Sequence, residues 1–295
     1  MGESKISPNS NIMKITITSG KGGTGKTFVS TNLFKTLADK GERVALFDCD
    51  VEEPNSYLFF DTKDSIEEDV NMPVPEVDPP KCTGCGICGD ACRFSAIVNI
   101  GKITITNHSL CHGCSACWVL CPEEAITPVD KKLGCVYRNE IDGNRVVYGE
   151  LIVGELSGNR IIDRVKEYAQ QDIINIIDSP PGTSCPVVET LKDTDYAVVV
   201  AEPTPFGLAN LKSTVELVRG LDLPLGVVIN RAGMGDDSLI EGFLVESKTE
   251  LLAKIPFDRK IAELYGKGKL IVEEMTEYRD LFFEIFDKIG TGISA

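Results

Sequence analysis

Residues 20–27 read Gly-Lys-Gly-Gly-Thr-Gly-Lys-Thr, and no other stretch restricts the fold of this 295-residue chain as strongly. They fit the pattern G-x-x-x-x-G-K-[ST]. Ahead of them, Met13 to Thr18 alternates apolar and polar residues as a strand does. Behind them, Phe28 to Lys40 carries Val29, Leu33, Leu37 and Ala38 at helical spacing, with Gly41 as the stop. Arg43 to Phe47 then reads as a second, buried strand ending in Asp48-Cys49-Asp50. Strand, glycine turn, helix and strand make a βαβ unit, which requires a parallel sheet with a right-handed crossover. Such a turn aims the backbone N–H groups of Gly20, Gly22, Gly23, Thr24 and Gly25 at phosphate oxygens, and the helix N-terminus adds partial positive charge. Lys26 then bridges the outer phosphates and the Thr27 hydroxyl ligates Mg²⁺. An ordinary glycine-rich loop is the bland alternative, and the strand–turn–helix placement argues against it.

The α/β rhythm breaks after Asp50. Asp61 to Lys81 is acidic and holds Pro73, Pro75, Pro79 and Pro80, which reads as an extended connector. Gly134 to Gly149 reads as a β-hairpin about Asp142-Gly143. From about Gly158 the rhythm resumes, with helices over Arg160 to Gln171 and Leu208 to Arg219 and strands at Ile173 to Ile177, Ala197 to Val200 and Leu225 to Ile229. The expected architecture is therefore an α/β domain with a mostly parallel sheet, discontinuous over residues 1–60 and 133–295. A connector at 61–80 leads to an inserted α+β module at 81–132.

Eight of the eleven cysteines lie in that module. Cys82, Cys85, Cys88 and Cys92 read C-x₂-C-x₂-C-x₃-C, and Cys111, Cys114, Cys117 and Cys121 repeat the pattern, with Pro122 after the second run. A pair of tetrahedral Zn²⁺ sites also uses paired cysteines, but rarely as two identical four-cysteine runs. The spacing resembles the bacterial two-cluster ferredoxins, whose fourth cysteine of each run crosses to the other cluster. That resemblance implies one [4Fe–4S] cluster on Cys82, Cys85, Cys88 and Cys121, and a second on Cys111, Cys114, Cys117 and Cys92. Arg93 stands where those ferredoxins often have proline. His112, inside the second run, reads as a surface or supporting residue, since cysteines already fill every cluster position.

Outside the module, the loop and four later segments resemble the superfamily of P-loop ATPases that contains MinD, Mrp and the nitrogenase iron protein. Its deviant phosphate loop carries an extra lysine, here Lys21 in Lys21-Gly22-Gly23-Thr24-Gly25-Lys26-Thr27. On spacing alone Lys21 is equally a solvated side chain. The resemblance implies that it reaches the nucleotide of a partner subunit, so that the working unit is a homodimer or a related heterodimer. Asp48, Asp50 and Asn55 match a first switch segment, in which Asp50 activates the attacking water and Asp48 supports the Mg²⁺ shell. Ile174 to Gly182 matches the Walker B strand and second switch, making Asp178 the outer Mg²⁺ partner. Asn230 fits the adenine-reading asparagine, and Pro256 lies in the late loop that closes over the base. Taken singly, acidic residues at strand ends are also common as helix caps.

Cys185 follows Asp178 by the interval that places a cluster-bridging cysteine in the nitrogenase iron protein, although a packed or merely exposed thiol is the plainer reading. Cys49 and Cys135 read as structural. The net charge of −15 repels nucleic acid and anionic lipid. Glu273 to Ile289 is amphipathic but more acidic than basic, so docking on the domain's own core is expected rather than lipid binding. Met1 to Ile12 reads as a loose polar tail without a leader, and the chain as cytoplasmic. The combined expectation is an ATP- and Mg²⁺-dependent ATPase that couples nucleotide state to electron transfer from two [4Fe–4S] clusters to a redox partner protein. A cluster or metal-cofactor carrier serving a maturation partner is the first alternative, and a spatial-positioning ATPase the second.

Overall fold

The computed structural model describes residues 13–293, so the tail expected over Met1 to Ile12 lies outside the described residues. The strands are β1 Met13–Thr18, β2 Val44–Asp48, β3 Ile66–Val77, β4 Ile97–Ile100, β5 Ile103–Thr106, β6 Ile126–Ile141, β7 Asn144–Leu151, β8 Ile174–Asp178, β9 Tyr196–Ala201, β10 Leu225–Ala232 and β11 Glu250–Pro256. Nine of them form one sheet in the order β11-β10-β9-β1-β8-β2-β7-β6-β3. From β11 to β7 every pairing is parallel. The strands β2, β8 and β9 are buried along their whole length, which is why they read as near-continuous Val, Ile and Ala runs without alternation.

Helix Lys26–Asp39 packs Val29, Leu33 and Leu37 onto one face of this sheet. The C-terminal segment, expected as one helix from Glu273, is broken into Ile271–Glu274 and Tyr278–Ile293. Its apolar stripe of Phe282, Ile285, Phe286 and Ile289 is buried in the same core, where Phe282 meets Phe28 edge-on with ring centroids 6.1 Å apart. No helix among the described residues is long and apolar enough to cross a membrane.

The segment expected as a connector is for most of its length β3, the outermost strand, paired antiparallel to β6. Proline is tolerated there because an edge strand needs hydrogen bonds on one side only. Pro73 and Pro75 are two residues apart, so their missing N–H groups fall on the same, unpaired side of the strand. Val70, Met72 and Val74 alternate inward between the polar positions. The β6–β7 hairpin turns at Asp142 and Gly143, both at positive φ (50° and 78°), as expected of an Asp-Gly turn.

The pairing of β3 with β6 runs to Val77 opposite Ile126. The intervening residues leave the large sheet as a small module of two short helices, Ile87–Ala91 and Ala116–Val119, with an antiparallel β4–β5 hairpin. The cysteine module therefore stands on the end of a ribbon that is part of the main sheet.

Candidate functional site

The turn between β1 and helix Lys26–Asp39 lies at the carboxyl ends of the central parallel strands, where open α/β sheets bind ligands. Gly25 sits at φ 98°, and a Cβ there would fall 2.2 Å from the Asn230 side-chain nitrogen. The absence of a side chain at Gly25 leaves room for a hydrogen bond, which Asn230 Nδ2 donates to the Thr24 carbonyl at 2.8 Å. Asn230, expected to read a base, ties the end of β10 to the loop. Pro256 ends β11 opposite Ala232, and Phe257 N–H donates to the Ala232 carbonyl at 2.9 Å. The two expected base-side segments are neighbours.

Asp48 and Asp178 are register partners at the ends of β2 and β8, and both are buried. Asp48 is engaged by backbone donors: Asp50 N–H to one oxygen at 3.0 Å, and Asn55 and Ser56 N–H to the other at 3.0 and 2.9 Å. It folds the turn that carries Asp50. Neither oxygen of Asp178 has a hydrogen-bond partner among the described residues. The Thr27 hydroxyl faces that carboxyl and lowers its pKa, without closing a well-formed bond.

Burial raises the Asp48 and Asp178 carboxyls, and the Asp48 charge adds to the rise at Asp178. Burial, then the Asp48 charge, pushes Asp50 up to about 7, with Lys26 opposing. Three crowded carboxylates, an orphaned Asp178 and the neighbouring Thr27 hydroxyl fit a divalent cation bound beside phosphates. In that use Thr27 would ligate Mg²⁺ and Asp178 would hold its water shell.

Lys21, expected to act across a subunit interface, pairs within this chain with Glu202 at 2.7 Å. Glu202 is buried and also pairs with Arg231. Sequence reasoning missed Glu202, for the only signal was a lone acid at the end of the apolar run Tyr196 to Ala201.

In the module, Cys82, Cys85 and Cys88 line one cavity together with Cys121 of the second run. Cys111 and Cys114 lie close enough to Cys117 for their charges to act on it, and burial first, then these neighbours, pushes Cys117 up to about 11. Cys92 packs in the same apolar cluster as Cys117, with Cys88, Cys121 and Trp118. Desolvation pushes Cys92 up, but the N–H groups of Phe94, Ile97, Ala96 and Ser95 outweigh it and hold the thiol below its ordinary value. A four-thiolate set of this kind fits a cubane iron–sulfur cluster and also a tetrahedral Zn²⁺. His112, expected as a surface or supporting residue, stacks on Phe94 with ring centroids 3.7 Å apart.

Cys185 is exposed at the start of helix Cys185–Leu191. Cys49 is fully buried, and burial raises its thiol far above the ordinary range. Cys135 is buried and donates to Glu67 Oε1 at 3.0 Å.

A chain of contacts that the sequence did not announce joins the two regions. Val51, next to Asp50, is buried, and its carbonyl accepts from Leu151 N–H at 2.8 Å. A Cβ on Gly158 would stand 2.3 Å from Val51 Cγ2, so Val51 presses on the start of helix Asn159–Lys166. From that helix Arg160 Nη2 lies 3.5 Å from the carbonyl of Gly113, between Cys111 and Cys114. Lys131 Nζ adds a second strut to the module, donating to the His108 carbonyl at 3.3 Å and pairing with Glu155 at 2.7 Å.

Comparison with known proteins bears on the nucleotide-binding fold. Residues 15–271 match the family described as CobQ/CobB/MinD/ParA nucleotide binding domain. An uncharacterized protein of Methanocaldococcus jannaschii is 33% identical over 275 residues, covering 92% of this chain and 94% of the relative. The iron-sulfur cluster carrier protein of the same organism is 25% identical over 299 residues, covering 94% of this chain and 84% of its own length. The septum site-determining protein MinD of Pyrococcus horikoshii, solved with Mg-ADP, superposes with a TM-score of 0.59 at 21% identity, covering 96% of this chain and 98% of that one. With the match spanning most of its length, the chain belongs to the CobQ/CobB/MinD/ParA nucleotide-binding family of P-loop proteins.

Proposed function

We propose that this protein is an iron–sulfur ATPase in which the nucleotide state governs electron transfer from two [4Fe–4S] clusters to a partner protein. The observation that carries the reading is the meeting of Cys121 with Cys82, Cys85 and Cys88 around one cavity, from two separate runs. Crossed ligands hold two clusters close together, which suits permanent electron-transfer centres. The second set would be Cys111, Cys114, Cys117 and Cys92.

On the nucleotide side, the Gly20–Thr27 backbone and Lys26 would cradle the phosphates of ATP. Asp50 would take the proton of the attacking water. Its raised pKa suits a base working near neutrality. Lys21 would leave Glu202 and stabilise the partner subunit's nucleotide in a homodimer or related heterodimer. Asp50 is followed directly by Val51, and Val51 leans on the helix whose Arg160 touches Gly113. A change at the γ-phosphate therefore has a short physical route to the second cysteine set, in the manner of switch segments that relax on hydrolysis. The acidic chain would work in the cytoplasm, with neither nucleic acid nor membrane as its partner.

The test is anaerobically purified, reduced protein mixed with a redox partner that co-purifies with it. Transfer should be several-fold faster with MgATP than without, and equal rates would end the gating idea. A second reading, a carrier that hands a cluster to a maturation partner, is favoured by the name of the 25%-identical relative and by the exposure of Cys185. It would replace the first if a chelator-labile cluster vanished in Cys185→Ala while eight other irons stayed bound.

A further inference from the structure

The two four-cysteine sites differ in what surrounds their sulfurs. At the first site, Asn99 and Thr104 stand directly opposite each other across the β4–β5 hairpin and point the same way. Thr104 Oγ1 is 3.3 Å from Cys82 Sγ, Asn99 Nδ2 donates to Thr104 Oγ1 at 2.7 Å, and Asn99 Oδ1 is 3.5 Å from Cys88 Sγ. Gly89 leaves room for this pair, since a Cβ there would fall 2.6 Å from Asn99 Oδ1. Val98, Ile100, Ile103 and Ile105 occupy the hairpin's other, exposed face, so register fixes which side chains reach the sulfurs. At the second site, among the described residues, the donors to sulfur are all backbone, among them Ala96 N–H to Cys92 at 3.3 Å and Gly113 N–H to Cys111 at 3.4 Å. The first site has such a donor too, Ala125 N–H to Cys121 at 3.3 Å, so the side-chain pair is what sets it apart.

A thiolate that ligates iron has no proton, so it can only accept. With Asn99 donating to Thr104, the Thr104 hydroxyl proton is directed onto Cys82 Sγ. With the amide turned over, Asn99 Nδ2 faces Cys88 Sγ instead, and Thr104 donates to Asn99 Oδ1. Either arrangement puts one side-chain hydrogen bond on a first-site thiolate. Such a bond draws charge from the sulfur and favours the more negative, reduced cluster.

We propose that Asn99 and Thr104 are a positioning pair that raises the reduction potential of the first cluster (Cys82, Cys85, Cys88, Cys121) and leaves the second unaffected. The inference rests on the reading of both sites as [4Fe–4S] centres. Reduction is by one electron from dithionite into the cluster, while the hydroxyl or amide proton stays on its own side chain.

The experiment is an anaerobic, mediator-buffered titration with dithionite, followed by EPR, on wild-type protein, Thr104→Val, Thr104→Ser and Asn99→Leu. Cys85→Ser identifies the first cluster's signal. Thr104→Val, where the hydroxyl holds Cys82, or Asn99→Leu, where the amide holds Cys88, should make that cluster roughly tenfold harder to reduce at a fixed potential, about 59 mV for one electron, and the other wave should not move. Thr104→Ser keeps the hydroxyl and should titrate as wild type. Should Thr104→Val fail to retain the first cluster, Asn99→Leu decides by the same criterion. Equal shifts in both waves, a shift of the second alone, no shift in either Thr104→Val or Asn99→Leu, or a Thr104→Ser shift as large as a Thr104→Val shift would overturn the assignment. Iron and sulfide analysis separates this failure from that of the underlying reading: wild-type protein holding zinc, or no cubane signal, removes the clusters themselves.

Discussion

Burial and the Asp48 charge push the Asp50 carboxyl from its ordinary 3.8 to about 7, which gives this one residue a measurable effect on stability. Between those pH values the folded chain keeps a proton that the unfolded chain has released, so stability falls as pH rises through the window and is flat above it. Asp50→Asn removes the cost. In the nucleotide-free protein it should be more stable than wild type at pH 8 by roughly 2–4 kcal/mol, with little difference at pH 4. Urea denaturation at the two pH values checks this, and a gain confined to pH 4 would contradict it. The same variant should lose ATP hydrolysis while still binding nucleotide. Asn230 is the other residue with a direct test. Removing its hydrogen bond to Thr24 in Asn230→Ala should cost about 1 kcal/mol, or roughly fivefold in MgATP affinity, by calorimetry.

At the scale of elements, helix Asn159–Lys166 is the joint between nucleotide loop and cysteine module. Gly158→Ala would drive a Cβ to 2.3 Å from Val51 Cγ2, and overpacking of this kind typically costs about 1–3 kcal/mol. On the gated iron–sulfur reading, the expected phenotype is a protein with normal cluster content whose EPR signals no longer respond to MgATP. Retention of the response would exclude this contact as the route. The C-terminal helix has a different task. Phe282 is fully buried against Phe28, so Phe282→Ala should destabilise the fold by about 3–5 kcal/mol in thermal or urea unfolding. A helix designed for a lipid surface would tolerate the change.

Across the whole molecule, the phosphate turn and the eight-cysteine region lie apart and are joined through β3, β6 and the helix at Arg160. Lys26→Ala should abolish nucleotide binding and leave iron content and colour unchanged, and Cys85→Ser should do the reverse; both are read by calorimetry and iron analysis. Loss of both properties in either folded variant would show that the sites are not separate.

Sequence alone determined what depends on short, local geometry. The phosphate turn follows from residues 20–27 between a strand and a helix, the hairpin from Asp142-Gly143, and the thiol-rich module from two runs of fixed spacing. The parallel sheet was legible because strands buried on both faces lose their alternation, as β2 and β8 do. Only the tertiary structure decided the contacts between residues far apart in the chain. It placed Pro73 and Pro75 on a sheet edge, where a proline-rich stretch can be a strand, and it paired Lys21 with Glu202. It also seated Val51 against Gly158 and brought Thr104 to Cys82. Periodicity and motif spacing report the conformation of neighbouring residues, whereas these contacts depend on how strands are ordered in a sheet, and that order is set by the packing of the whole core.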